Sequence, residues 1–255
     1  MKKHVMVLAC LSLLAGNAFA QGTITSGAAN YVIAAGHFDA SPGVNFTGVG
    51  TNDQLFEAGW WFRVDGDSQE AFFPAPDTQN YNAAAATLNW ANVGGRGFSA
   101  VKTHVVASPG SGAGETTSTM TVTNTGSSPV TLHLFHMADI DVNGTAGTDT
   151  AAVVDGNNRY LRINDATQGQ CEYRAPGSVA FMVRPWVSGA TDVPGLLSDT
   201  TITSFDNSGL PFTGDFTGGF QWTLTLAAGA QASVTAYVAC NTAATPVSLM
   251  QYSVD

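Results

Sequence analysis

Apolar and polar residues alternate through most of this chain. The alternation is broken every few positions by Gly, Pro, Asn or Asp. That is the pattern of many strands joined by turns. Leu55 to Val64 shows it most clearly. Phe56, Ala58, Trp60, Phe62 and Val64 share one face; Leu55, Glu57, Gly59, Trp61 and Arg63 share the other. Successive side chains of a strand point to opposite sides, so the first row is assigned to a core. Further strands are expected over 22–35, Glu70 to Phe73, Thr87 to Asn92, Phe98 to Ala107, Thr116 to Thr125, onward from Val130, Phe220 to Leu226, and Val234 to Ala239. Residues 36–53 read as loop, and Ser108 to Gly114 as a surface loop within one domain. Helical periodicity is almost absent. The best helical stretch, Tyr81 to Leu88, holds four consecutive alanines but is short.

Two segments carry a resemblance. Thr121 to Leu132 alternates, turns at Gly126-Ser127-Ser128-Pro129 and alternates again; Leu224 to Val234 does the same around Ala227-Ala228-Gly229-Ala230. Both resemble hairpins of secreted bacterial immunoglobulin-like sandwich domains. The resemblance implies an antiparallel sandwich and says nothing of activity. The gap of about 90 residues between the two segments exceeds what a simple seven-stranded domain allows. The expected fold is therefore all-β: an enlarged antiparallel β-sandwich or jelly roll with little or no helix.

Composition adds an address. Lys2 and Lys3, the apolar run Val5 to Leu14 and Ala18-Phe19-Ala20 form a signal peptide over residues 1–20, with cleavage before Gln21 and one domain over 21–255. The apolar run is too short to anchor in a bilayer, and no later run is longer. Many of the expected strands also fall short of the roughly nine to eleven residues of a membrane strand. The expectation is a secreted protein, periplasmic or extracellular, with no membrane insertion.

The full chain carries 9 bases against 19 acids, a net charge of −10. Removing the two leader lysines leaves seven bases against nineteen acids, a net of −12. Such a surface repels nucleic acid and anionic lipid. It also repels polyanionic polysaccharide, unless the bases gather in one place. Cys171 and Cys240 remain after export and are expected to form one disulfide, worth roughly 4 kcal/mol by chain entropy.

Candidate chemistry centres on Leu132 to Val154. Asp139-x-Asp141-x-Asn143-Gly144 places oxygen ligands at alternate positions before a glycine turn, with Asp149 close by. That is the opening of a calcium loop. The closing glutamate is absent, and the same residues also make an ordinary Asn-Gly hairpin turn. Calcium here is expected to be structural. His133 and His136 lie three apart, on opposite faces of a strand, so they cannot chelate together. His136 belongs to the apolar row and is read as a hydrogen-bonded core histidine. A zinc site from His133 and His136 with His104 or His37 would need the strand to bulge, and the cysteines, 69 positions apart, add no zinc-ligand spacing.

Trp61, with Glu57 and Arg63 on the same face, suits a saccharide: an aromatic platform flanked by hydrogen-bonding charges. The alternative is a strand buried on both faces, with Glu57 and Arg63 paired. No nucleophile elbow or phosphate-cradling loop is present, and no catalytic residue is assigned. Two classes of function remain. One is a non-catalytic surface, matrix or adhesion-type protein that is calcium-stabilised and binds a glycan or a second copy of itself. The other is a secreted carbohydrate-active hydrolase or lyase on a jelly-roll scaffold.

Overall fold

The computed structural model describes residues 22–34, 45–47, 53–110, 113–165, 169–187 and 191–240. The expected signal peptide and His37 lie outside these residues. The strands form three antiparallel sheets. A four-stranded sheet holds β1 (Gly22–Ser26), β2 (Ala29–Ile33), β3 (Asn45–Thr47) and β4 (Asp53–Leu55) in that order. Next along the chain come β5 (Glu57–Val64), β6 (Ala71–Phe72), β7 (Thr78–Asn82), β8 (Ala85–Trp90), β9 (Phe98–Gly110), β10 (Ala113–Asn124) and β11 (Val130–Ile140). They are followed by β12 (Asp149–Val153), β13 (Tyr160–Asn164), β14 (Gln170–Arg174), β15 (Ala180–Pro185), helix α1 (Val193–Ser198), β16 (Phe212–Gly214), β17 (Phe216–Leu226) and β18 (Gln231–Cys240). The larger sheet runs β16-β12-β13-β14-β18-β10-β9-β8-β7, and the smaller β15-β17-β11-β5-β6. The architecture is the all-β sandwich that the alternation predicts.

One apolar cluster draws on all three sheets. From Glu57 to Val64 the parity holds: Ala58, Trp60 and Phe62 enter this cluster, and Trp61 faces away from it. Upstream it reverses, because a bend at Phe56 puts Leu55 into the cluster and leaves Phe56, assigned to the core row, lining a cleft. Polar groups are set inside it in pairs. The Trp60 indole N–H donates to Ser118 Oγ at 2.9 Å. Tyr173 OH donates to the carbonyl of His136 at 2.8 Å, so the His136 Nδ1–H donates to the same hydroxyl at 2.7 Å. His136 is thus the hydrogen-bonded core histidine its parity implies.

Several expectations change. Tyr81 to Leu88 is the β7–β8 turn and strand rather than helix, because Ala86 and Leu88 bury on one side of a sheet that supplies their hydrogen bonds. The strands of the sandwich are long: β9 has 13 residues, β10 12, β11 and β17 11 each. Length is therefore no argument against a barrel here; what the described residues build instead is open sheets stacked around an apolar interior. Both segments read as hairpins are arches, since β10 and β18 lie in the nine-stranded sheet and β11 and β17 in the five-stranded one. Alternation around a polar turn is the same whether two strands pair or stack.

The outer side of the five-stranded sheet is covered too. Trp61, Phe135, Met137 and Met182 pack beneath Val193 and Leu197 of α1 and Phe205. Arg63 pairs with Glu70 and donates to the Thr203 carbonyl at 3.1 Å, while Glu70 accepts from the Thr203 amide at 2.9 Å. This pair pins the covering segment to the sheet. Cys171 and Cys240 form the expected disulfide, directly opposite each other on β14 and β18.

Candidate cation and saccharide site

β11 ends beside a cleft, with its last residues, Ala138 to Ile140, still buried. There Asp139, Asp141 and Asp215 bring carboxylate oxygens within 4.8 Å of one another. Asp139 sits at the end of β11 between Glu57 and Thr217 of the neighbouring strands. Asp141 opens the tight turn Val142–Gly144. Asp215 comes from the break between β16 and β17, one step beyond the Ile140–Phe216 pair of the ladder. With Phe56, Ala146 and Trp186 the three acids line a cleft of about 190 Å³. Trp186 is held there by its amide, which donates to the Asp215 carbonyl at 2.8 Å. Trp186 as a residue is 40% exposed.

The electrostatics are those of acids without counter-charge. Asp139 is only 2% exposed and its Oδ1 has no hydrogen-bond partner; Asp141 Oδ1 is likewise unpartnered. Burial, then the negative charges of Asp141, Asp215, Glu57 and Asp192, push the Asp139 carboxyl up to about 9. Burial and then Asp215 and Asp53 raise Asp141 to about 6. Burial raises Asp215 as well. Among the described residues no base lines the cleft. Three hard oxygens meeting at this spacing can hold a metal ion at ordinary oxygen–cation distances.

The acidic turn expected from the sequence is thus partly assembled. Asp139 and Asp141 converge. Asn143 does not join them: it adopts φ 60°, and its side-chain amide lies against Gly169. Asp149 is fully buried next door, raised to about 8 by burial and then by Asp141 and Asp165, with the Val142 amide opposing. Asp215 was not legible, being 74 positions from Asp141 with no local motif around it. Only the β11–β17 register brings the two together.

The expected Trp61 platform is corrected. Trp61 is 1% exposed, Glu57 4% and Arg63 7%, because α1 and the strand of chain after it lie over that face. The Trp61 indole donates to Ser198 Oγ at 3.2 Å, and Arg63 pairs with Glu70 rather than Glu57. Trp186, on the rim, is the tryptophan that faces solvent beside the acids. Among the described residues the histidines join no metal-ligating group: His104 and His136 are interior, whereas His133 reaches outward to Asp65 at 2.8 Å.

The sequence matches no protein-family model and no curated protein. Solved structures do share the fold. A bacterial glucoamylase complexed with acarbose aligns at TM-score 0.60 and 10% identity, over 88% of this chain and 33% of that one. A galactose mutarotase-like protein from Lactobacillus casei ATCC 334 aligns at TM-score 0.51 and 9% identity, over 87% of this chain and all of that one. A polysaccharide lyase aligns at 0.50 and 8% identity, over 86% and 34%. The chain therefore spans about a third of the glucoamylase and of the lyase. At these identities the likeness is one of fold, and it is a fold that carbohydrate-handling proteins use.

Proposed function

We propose that this chain is an exported saccharide-binding protein whose ligand enters the cleft between Trp186 and the acids, with a structural calcium ion held by Asp139, Asp141 and Asp215. The observation that carries this reading is the cleft itself: an exposed tryptophan beside three convergent carboxylates. An indole stacks on the apolar face of a sugar ring, while oxygens and a cation meet its hydroxyls. Calcium would supply the positive charge that no lining side chain provides. The shared fold of the glucoamylase, the mutarotase-like protein and the lyase supports a glycan as the ligand class. Export rests on the leader-like first twenty residues, with the disulfide as a compatible feature.

The test has two readouts. Calcium at about tenfold excess over its dissociation constant adds roughly 1.4 kcal/mol, so melting temperature should rise in millimolar calcium and fall in chelator. Asp141→Asn should abolish that difference. Neutral oligosaccharides should change tryptophan fluorescence, and Trp186→Ala should remove the change while leaving the fold intact. Equal melting temperatures with and without calcium would remove the cation. A sugar response that survives Trp186→Ala would move the glycan site elsewhere.

A second reading, a hydrolase or lyase, is favoured by one feature. Carboxylate oxygens under 5 Å apart beside an aromatic wall approximate the separation of about 5 Å used in retaining glycoside cleavage. Release of reducing ends or unsaturated products from a bound oligosaccharide decides between the two.

A further inference from the structure

The outer face of the nine-stranded sheet carries a second feature, remote in kind from the acidic cleft. Three adjacent strands place Tyr160 and Arg162 (β13), Glu172 and Arg174 (β14) and Tyr237 (β18) together. Tyr160 lies opposite Arg174, Arg174 opposite Tyr237, and Arg162 opposite Glu172. Glu172 belongs to the outward row yet is 1% exposed, because the two arginines lie over it. Its carboxylate stands 3.6 Å from Arg162 Nη2 and 3.8 Å from Arg174 Nε. Those are ion-pair distances, longer than hydrogen bonds.

The guanidinium groups are therefore oriented without being used up. Arg174 lies over the rings of Tyr160 and Tyr237, at 5.7 and 5.8 Å from their centroids, and its buried Nε has no hydrogen-bond partner among the described residues. Arg162 stacks over Tyr160 at 5.8 Å and donates one bond, to Tyr160 OH at 3.3 Å. Each guanidinium carries five donors. The side chains remain 30% and 25% exposed. Two cations over one anion leave this patch a net +1 on a chain of net −10. Towards β10 the next acid in register is Glu115, separated from Glu172 by Ala239, while Asp155 in the turn before β13 is occupied by the Arg159 and Tyr160 amides at 2.9 and 3.2 Å.

We propose that this patch binds the carboxylate of an acidic saccharide, a uronate. The arginine forks would take the carboxylate through paired N–H donors, and the tyrosine rings would border the sugar. Charge complementarity selects the occupant. An acidic glycan is repelled by the rest of the surface, and this is where the bases gather. Burying Glu172 costs desolvation that a plain polar surface would avoid; it makes sense as the support that holds two arginines side by side.

The experiment is calorimetric titration of the full chain with tetragalacturonate in chelator and low salt, beside a neutral tetrasaccharide. Chelator removes the cleft's calcium, so this test stands apart from the previous one. The expected result is binding of the uronate alone, weakened by salt, and weakened about tenfold in Arg162→Gln/Arg174→Gln. Trp186→Ala should leave it unchanged. Arg162→Lys/Arg174→Lys keeps the charge and loses the fork; it should also weaken binding, and it decides the matter should the glutamine variant not fold. No uronate binding by the wild type, equal binding of the neutral sugar, or full affinity in the lysine variant would overturn the proposal.

Discussion

His136 shows how one residue type changes meaning with its surroundings. Three positions before Asp139 it has a residue type that ligates metals, yet its parity puts it in the apolar row. In the structure it faces Trp60, Tyr173, Lys102 and His104 inside the sandwich. Burial, and then the nearby Lys102, lower its pKa from 6.5 to about 3. Below pH 6.5 the unfolded chain takes up a proton that the folded chain refuses. The stability from this group is complete above 6.5 and is lost as pH falls toward 3, by up to about 1.4 kcal/mol per pH unit. His136→Gln should remove that slope, so the two proteins' stabilities should converge in acid. Urea midpoints at a series of pH values measure it; parallel curves for the two proteins would sink the assignment.

At the scale of elements, the two arches make the sandwich rather than two hairpins. Asn124, 1% exposed at the end of β10, ties them together. Its side-chain amide donates to the carbonyls of Ser128, Leu226 and Ala227 at 2.8, 3.1 and 3.1 Å, and its oxygen accepts from the Gly126 amide at 2.9 Å. The first partner is in the β10–β11 arch, and the other two are where β17 leaves for β18. Asn124→Ala strands these carbonyls and should cost about 2–4 kcal/mol. Asn124→Asp aims an anion at three carbonyl oxygens and should cost at least as much. Thermal melts of the two variants check this; an aspartate variant as stable as the wild type would contradict it.

For the whole molecule, the Cys171–Cys240 bond joins β14 to β18 across a separation of 69 residues. It thereby ties the half of the large sheet built from β12 to β14 to the half that includes β9 and β10. In the chain-entropy account the closed loop is worth roughly 4 kcal/mol. Cys171→Ala/Cys240→Ala should lower the denaturation midpoint accordingly, and reductant should bring the wild type down to the same value. A loss under about 1 kcal/mol would mean that the unfolded chain gains little freedom when the bond is cut.

Much of this was legible in the sequence, and the reason is periodicity. A strand alternates its side chains whatever it packs against. So the all-β class, the inward row of β5, the core place of His136 and the separation of His133 from it all follow from parity alone. Cys171 and Cys240, the two cysteines left once the expected leader is set aside, point to their pairing. Parity has no view of what lies beyond the strand. It could not say that α1 would cover Trp61, nor that arches would stand where hairpins were expected. It could not place Asp215 opposite Asp141, Trp186 beside them both, or Arg162 and Arg174 over Glu172. Those are contacts between distant segments, made by sheet register and layer stacking, and no local pattern of side chains encodes them.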